Sequence, residues 1–97
     1  MKLTEKQLRH LRGLGHQRKV VVIIGNSGLS ETVMAEIESS LAHHELLKVR
    51  VNAEERSDRD AMISAICTAL DAVLVQRVGH VALLYRPAEP PRLSLTP

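Results

Sequence analysis

Val20-Val21-Val22-Ile23-Ile24-Gly25-Asn26-Ser27-Gly28-Leu29-Ser30 is the stretch of this 97-residue chain that decides its fold class. Five consecutive β-branched residues predict a strand covered on both faces. Gly25 and Gly28 bracket a four-residue loop that tolerates positive φ and lets another molecule's backbone come close. Ser30 follows as an N-cap, with Leu29 and Met34 at the N′ and N4 positions of a hydrophobic staple, so a helix starts directly after the loop. Such a loop presents unpaired N–H groups at the positive end of a helix dipole, which suits a phosphate. No Gly-Lys-Ser/Thr follows, and the third glycine of a dinucleotide fingerprint is missing. Nucleotide hydrolysis therefore has no support.

Upstream, Thr4-Glu5-Lys6-Gln7 is a capping box with Leu3 and Leu8 as its staple. Leu8, Leu11 and Leu14 form the narrow apolar stripe of a first helix that stops at Gly15. Downstream, Val33, Met34, Ile37 and Leu41 repeat at helical spacing, which predicts a second helix from about Glu31 to His43. Leu46 to Asn52 alternates, Leu47, Val49 and Val51 against Lys48 and Arg50, as in a half-exposed strand. Ser57 or Asp58 is expected to cap a third helix whose stripe is Met62, Ile63, Ile66, Ala69 and Leu70. Val73–Val78 and Val81–Tyr85 read as strands joined by a Gly79-His80 hairpin turn. The order α-β-α-β-α-β-β demands a parallel crossover followed by an antiparallel hairpin. The expected fold is a single two-layer α/β domain with a four-stranded mixed sheet. It spans residues 1–87, and the four prolines Pro87, Pro90, Pro91 and Pro97 leave 88–97 as an extended tail.

The net charge of +2 conceals a segregation. Residues 1–19 carry Lys2, Lys6, Arg9, Arg12, Arg18 and Lys19 against Glu5 alone, a net +5. Residues 31–71 hold nine acids and four bases, a net −5. This layout steers a polyanion to one face and repels it from the other. The single cysteine, Cys67, excludes an internal disulfide and sits in an apolar stripe as a small hydrophobe. With no signal region and no membrane-length apolar run, the expected location is the cytoplasm.

Catalysis finds little to stand on. Ser27 and Ser30 lack a His or Lys at a telling spacing, and the carboxylates fall on polar helix faces. His43-His44-Glu45 is the one cluster resembling metal ligands, but neighbouring helical residues point about 100° apart. Their place at a helix C-terminus fits a favourable dipole contact instead. No enzyme, metal or cofactor is expected. Tyr85 is the only aromatic residue, so recognition by stacking bases on sheet aromatics is nearly excluded. A nucleic acid would be held through phosphate contacts and shape.

Arg18-Lys19 with the stretch through Ser30, then Glu36-Ile37 and His44-Glu45-Leu46-Leu47-Lys48-Val49, resembles the CRM domain (chloroplast RNA splicing and ribosome maturation) in its free-standing bacterial, YhbY-like form. The resemblance extends from about Leu3 to Pro87. It implies an RNA-binding domain with a fold similar to the C-terminal domain of bacterial translation initiation factor three. Bacterial members are associated with precursors of the large ribosomal subunit, the pre-50S particles, and plant members with intron splicing. The family's GxxG loop maps onto Gly25, Asn26, Ser27 and Gly28. Val20 stands where bacterial members usually have proline, and Asn26 and Ser27 are neutral where plant members often carry a base. The expected partner is structured ribosomal RNA. The expected contacts are Lys2, Lys6, Arg9, Arg12, Arg18, Lys19 and Gly25 to Gly28, then Lys48 and Arg50. Arg77 and Arg86 are further candidates if they share that face. The alternative is a module that docks on a ribosomal protein or an assembly GTPase through its acidic helices.

Overall fold

Leu46 and Leu47 are adjacent strand residues, so they point to opposite sides of the sheet. Both are about 1% exposed, and the sheet must therefore be covered on both faces. The computed structural model, which describes all 97 residues, shows how. The elements are α1 (Glu5–Gly15), β1 (Val20–Ile24), α2 (Glu31–His44), β2 (Leu46–Val51), α3 (Arg56–Leu70), β3 (Val73–Val78) and β4 (Val81–Tyr85). The sheet order is β1-β2-β4-β3, with β1 parallel to β2 and the other two pairings antiparallel. Element order and mixed sheet are as the sequence predicts.

The number of layers is not. Helices α2 and α3 bury Ile37, Leu41, Ile63 and Ile66 against Val22, Ile24, Leu47, Val49, Val51, Ala82 and Leu84. Helix α1 lies on the opposite face, where Leu11 packs with Leu46, Val75, Leu83 and Tyr85. The two-layer expectation thus gains a third, partial layer, because β2 opens with apolar residues on both sides. Gly15 lets α1 approach β4 closely: a Cβ there would stand 2.5 Å from a methyl carbon of Leu83.

The local signals hold. Thr4 Oγ1 accepts from the Gln7 N–H at 3.1 Å while Gln7 Oε1 accepts from the Thr4 N–H at 2.9 Å, completing the capping box. Ser30 Oγ accepts from the Val33 N–H at 3.1 Å. Some expectations fail. Gly15, expected as the C′ stop of the first helix, is its last helical residue, with His16 as the C-cap, and Ala69, expected in the buried stripe of the third helix, is exposed. The third helix begins at Arg56, so Ser57 and Asp58 lie inside it, and Glu55 holds the N-cap position without a side-chain cap. Strand β1 is an edge strand rather than one covered on both faces: Val20, Val21 and Ile23 are exposed because α1 does not reach over them.

The tail is irregular but tied down. Glu45, the α2 C-cap at φ 63°, is 2% exposed and accepts three backbone N–H bonds from the tail. Ala88 and Arg92 donate to Oε2 at 2.7 and 3.1 Å, and Leu93 donates to Oε1 at 2.9 Å. Leu93 and Leu95 pack against the α1 cluster. Arg92 Nη2 donates to the carbonyls of His43 at 2.6 Å and Ala42 at 3.3 Å, completing the end of α2.

Candidate functional site

Two rows of side chains cross all four strands on the α1 side of the sheet. Val20 pairs with Lys48, Lys48 with Leu83, and Leu83 with Gln76. In the next row Ile23 pairs with Arg50, Arg50 with Val81, and Val81 with Val78. Helix α1 ends beside the first row and leaves the second bare, with Ile23 58% and Val78 65% exposed. The result is an aliphatic surface with two cations down its middle. Where α1 stops, Gly15, His16 and Arg18 wall a cavity of about 340 Å³ whose floor is the first row with Val78 and Val81.

The predicted bases fall in three places. Arg18 and Lys48 meet in the cavity. Arg50 lies on the same face, its Nε donating to Asn52 Oδ1 at 2.9 Å. Lys6 and Arg9 are exposed, on the side of α1 turned away from its buried Leu11, and Arg12 is half-buried on the helix flank. Lys2 and Lys19 are exposed before α1 and just before β1. The bases are therefore spread over α1, its flanks and the α1 side of the sheet, and only Arg18 and Lys48 share the cavity.

The Gly25–Gly28 loop stands at the far end of β1. The Gly28 N–H donates to the Gly25 carbonyl at 3.1 Å, and Gly28 alone of the pair has positive φ, at 69°. Gly25, Asn26 and Ser27 are exposed, and a Cβ at Gly25 would meet nothing within 4 Å, so the loop is open to a partner. Glu31 in the first turn of α2 offsets part of the dipole's attraction for an anion, so the helix end alone is a weak phosphate site.

Arg77 and Arg86 do not join this face. Arg77 is opposite Ala82, on the α3 side, and its Nε pairs with Asp60 Oδ1 at 2.6 Å. Arg86 is ion-paired with Glu38 and donates to the Leu70 carbonyl at 3.1 Å. Arg56 also pairs with Asp60, at 3.8 Å, and Arg59 Nη1 is held by the carbonyls of Ala53 and Glu54 at 2.7 and 2.8 Å. With Arg92 on α2, all five of these bases are engaged. None of the eight on the other side, Lys2, Lys6, Arg9, Arg12, Arg18, Lys19, Lys48 and Arg50, is paired with a carboxylate. Ten of the eleven acids belong to α2, α3, their flanking loops or the tail, and only Glu5 is on α1.

The Ser30 hydroxyl caps α2, and the Cys67 and Tyr85 side chains are partly and fully withdrawn from solvent. Burial pushes the Cys67 thiol up, away from the thiolate a nucleophile needs. Burial, and then the charge of Glu45, also push up the hydroxyl of Tyr85, which is 0% exposed and offers no stacking platform. The rings of His43 and His44 meet edge to face with centroids 4.6 Å apart.

Sequence reasoning missed His16, Gln76, Val78 and Val81. Strict alternation places Val75 and Gln76 on opposite faces, but a register shift between Leu74 and Gln76 puts both on the α1 side. A bulge leaves no reliable mark in a single sequence.

Residues 3–86 match the CRS1 / YhbY (CRM) domain. The chain is 44% identical over 93 residues to an RNA-binding protein of Haemophilus influenzae, covering 96% of this chain and 94% of that one. It is 40% identical over 96 residues to a candidate RNA-binding protein of Pseudomonas aeruginosa, covering 99% and 92%. The solution structure of a hypothetical Staphylococcus aureus protein, described as a candidate RNA binder, superposes with a TM-score of 0.79 at 32% identity, covering 90% of this chain and 91% of that one. Matched from residue 3 to residue 86, the chain belongs to the CRS1/YhbY (CRM) domain family.

Proposed function

We propose that this protein binds structured RNA, in precursors of the large ribosomal subunit, without catalysing a reaction. The observation that carries the reading is the split among the thirteen bases. Five are neutralised or hydrogen-bonded on the α2 and α3 side, while the eight of α1, the segments before and after it, and β2 have no carboxylate partner. Eight uncompensated cations on one side repel one another, and a polyphosphate backbone relieves that repulsion. The RNA-binding descriptions of the relatives support the same partner. Lys48, Arg50 and Arg18 would hold phosphates above the sheet, Lys6 and Arg9 would extend the track along α1, and Gly25 to Gly28 would admit a second backbone segment.

Binding to folded fragments of large-subunit ribosomal RNA, followed by fluorescence anisotropy, tests this directly. With four or five bases on phosphates, log affinity should fall with log salt at a slope of roughly −3 to −4. A flat dependence from low to physiological salt refutes the electrostatic footprint and favours docking on a protein. Co-sedimentation with pre-50S particles rather than mature ribosomes tests the assembly role.

A further inference from the structure

The cavity between the end of α1 and the sheet has a make-up that phosphate binding alone does not explain. Its floor carries the aliphatic Val20, Leu83, Val78 and Val81, with Lys48 and Gln76 in the row of Val20 and Leu83, and Arg18 and His16 complete a lining that has no carboxylate. We propose that it is the seat of a single unpaired RNA nucleotide. The base would lie on the aliphatic floor, Lys48 and Arg18 would face its phosphates, and the Gln76 amide would read its edge. This rests on the RNA reading and adds to it a specific subsite.

Size supports one nucleotide. At about 340 Å³ the cavity lies near the lower limit of small-ligand pockets, which begin at roughly 300 Å³. The chemistry also selects an unpaired base. A duplex shows its bases only at their edges, so the apolar part of the floor can be covered only by a base turned out of the stack. Such bases commonly stack on aromatic rings, and the one tyrosine here is fully buried. His16 supplies the substitute, since an imidazole plane also stacks on bases. Gln76 offers a donor and an acceptor on one planar group, the combination that pairs with the edge of a base. A protein partner's acidic side chain would satisfy the cations but would leave the aliphatic floor uncovered.

The test uses two RNA hairpins of the same stem, one fully paired and one with a single unpaired nucleotide, the latter made with each of the four bases. Affinities are read by anisotropy at physiological salt for the full chain and for Gln76→Ala, with circular dichroism checking that the variant folds. The bulged hairpin should bind the parent about tenfold more tightly than the paired one, with a preference among the four bases. Gln76→Ala should flatten that preference and leave the paired hairpin's affinity unchanged. Equal binding of paired and bulged RNA by the parent overturns the pocket while leaving the RNA reading intact. An equal loss on both hairpins in Gln76→Ala also overturns it. Binding of neither hairpin refutes the RNA reading, and the pocket with it.

Discussion

Glu45→Gln should release the C-terminal tail without unfolding the domain. The carboxylate accepts from Ala88, Arg92 and Leu93, and no water-exposed surface substitutes for those bonds because Glu45 is 2% exposed. Burial by itself would raise the carboxyl's pKa. The three backbone donors and the charge of Arg92 more than offset it and hold Glu45 below the usual carboxylate range. A glutamine keeps the shape, but its one oxygen can serve Ala88 and Arg92 while its NH2 confronts the Leu93 N–H. Two charge-assisted bonds become neutral ones, and one buried donor is orphaned at a cost of about 1–3 kcal/mol. A smaller desolvation cost for the amide returns part of this, so the net loss is about 2 kcal/mol. Trypsin reads the outcome at Arg92–Leu93, a bond that opens only when the tail lifts. Two kcal/mol corresponds to roughly thirtyfold faster cleavage where opening is a rapid pre-equilibrium. The sign with pH follows from the lowered pKa: the stabilisation is complete above about 4.5, the ordinary glutamate value, and is lost as pH falls through the lower folded value. Parent protein should therefore release its tail in acid, and the variant should have lost that acid-dependent step. Unchanged cleavage at Arg92, together with an unchanged acid transition, would refute the assignment of Glu45 as the tail's anchor.

Two further outcomes concern the proposed RNA face. Gly28→Asp has room, since a Cβ meets only the Met62 methyl at 3.8 Å, but it carries positive φ, so a loss of about 1 kcal/mol in chemical denaturation is expected. Its RNA affinity should drop by about 1–3 kcal/mol, and parental affinity in a folded variant would reduce the loop to a turn. Lys48→Val with Arg50→Val should leave denaturant stability equal or higher while weakening RNA binding and making the salt slope shallower by roughly 2. A clear loss of stability would show that the two cations are needed by the fold.

What the sequence disclosed was local. Thr4 with Gln7 and Ser30 with Val33 lie three residues apart, and such pairs can be read without knowing the rest of the chain. The charge segregation was legible only in part: the bases before β1 stay apart from the acids of α2 and α3, but Lys48 and Arg50 cross to the α1 side and Arg77 and Arg86 do not. The hidden features depend on contacts distant in sequence. Glu45 meets Leu93 across 48 positions, and Arg86 meets Glu38 across 48, so neither engagement could be inferred from neighbours. The β-branched run Val20–Ile24 shows the same limit. It specifies a strand, but its place at the sheet edge is set by pairing to β2 alone, and its bare face by where α1 stops, and both depend on residues distant in sequence.

The candidate site is better marked by what the fold does not require than by the glycine loop. Strand β2 lies between β1 and β4, an interior position where side-chain packing favours β-branched residues and disfavours lysine. Yet Lys48 and Arg50 occupy successive outward positions there, bordered by Val20 and Ile23 on one side and Leu83 and Val81 on the other. Valines would cover more apolar surface, and no acid stands across from either cation to repay their placement. Protection of an exposed edge does not account for them either, since guarding charges belong on edge strands and β1 carries none. Two central cations on an otherwise aliphatic, half-uncovered face are a departure from the stability optimum. Such departures concentrate where a surface meets a ligand. The ligand that answers both the charge and the apolar floor is one carrying phosphates and a flat ring together.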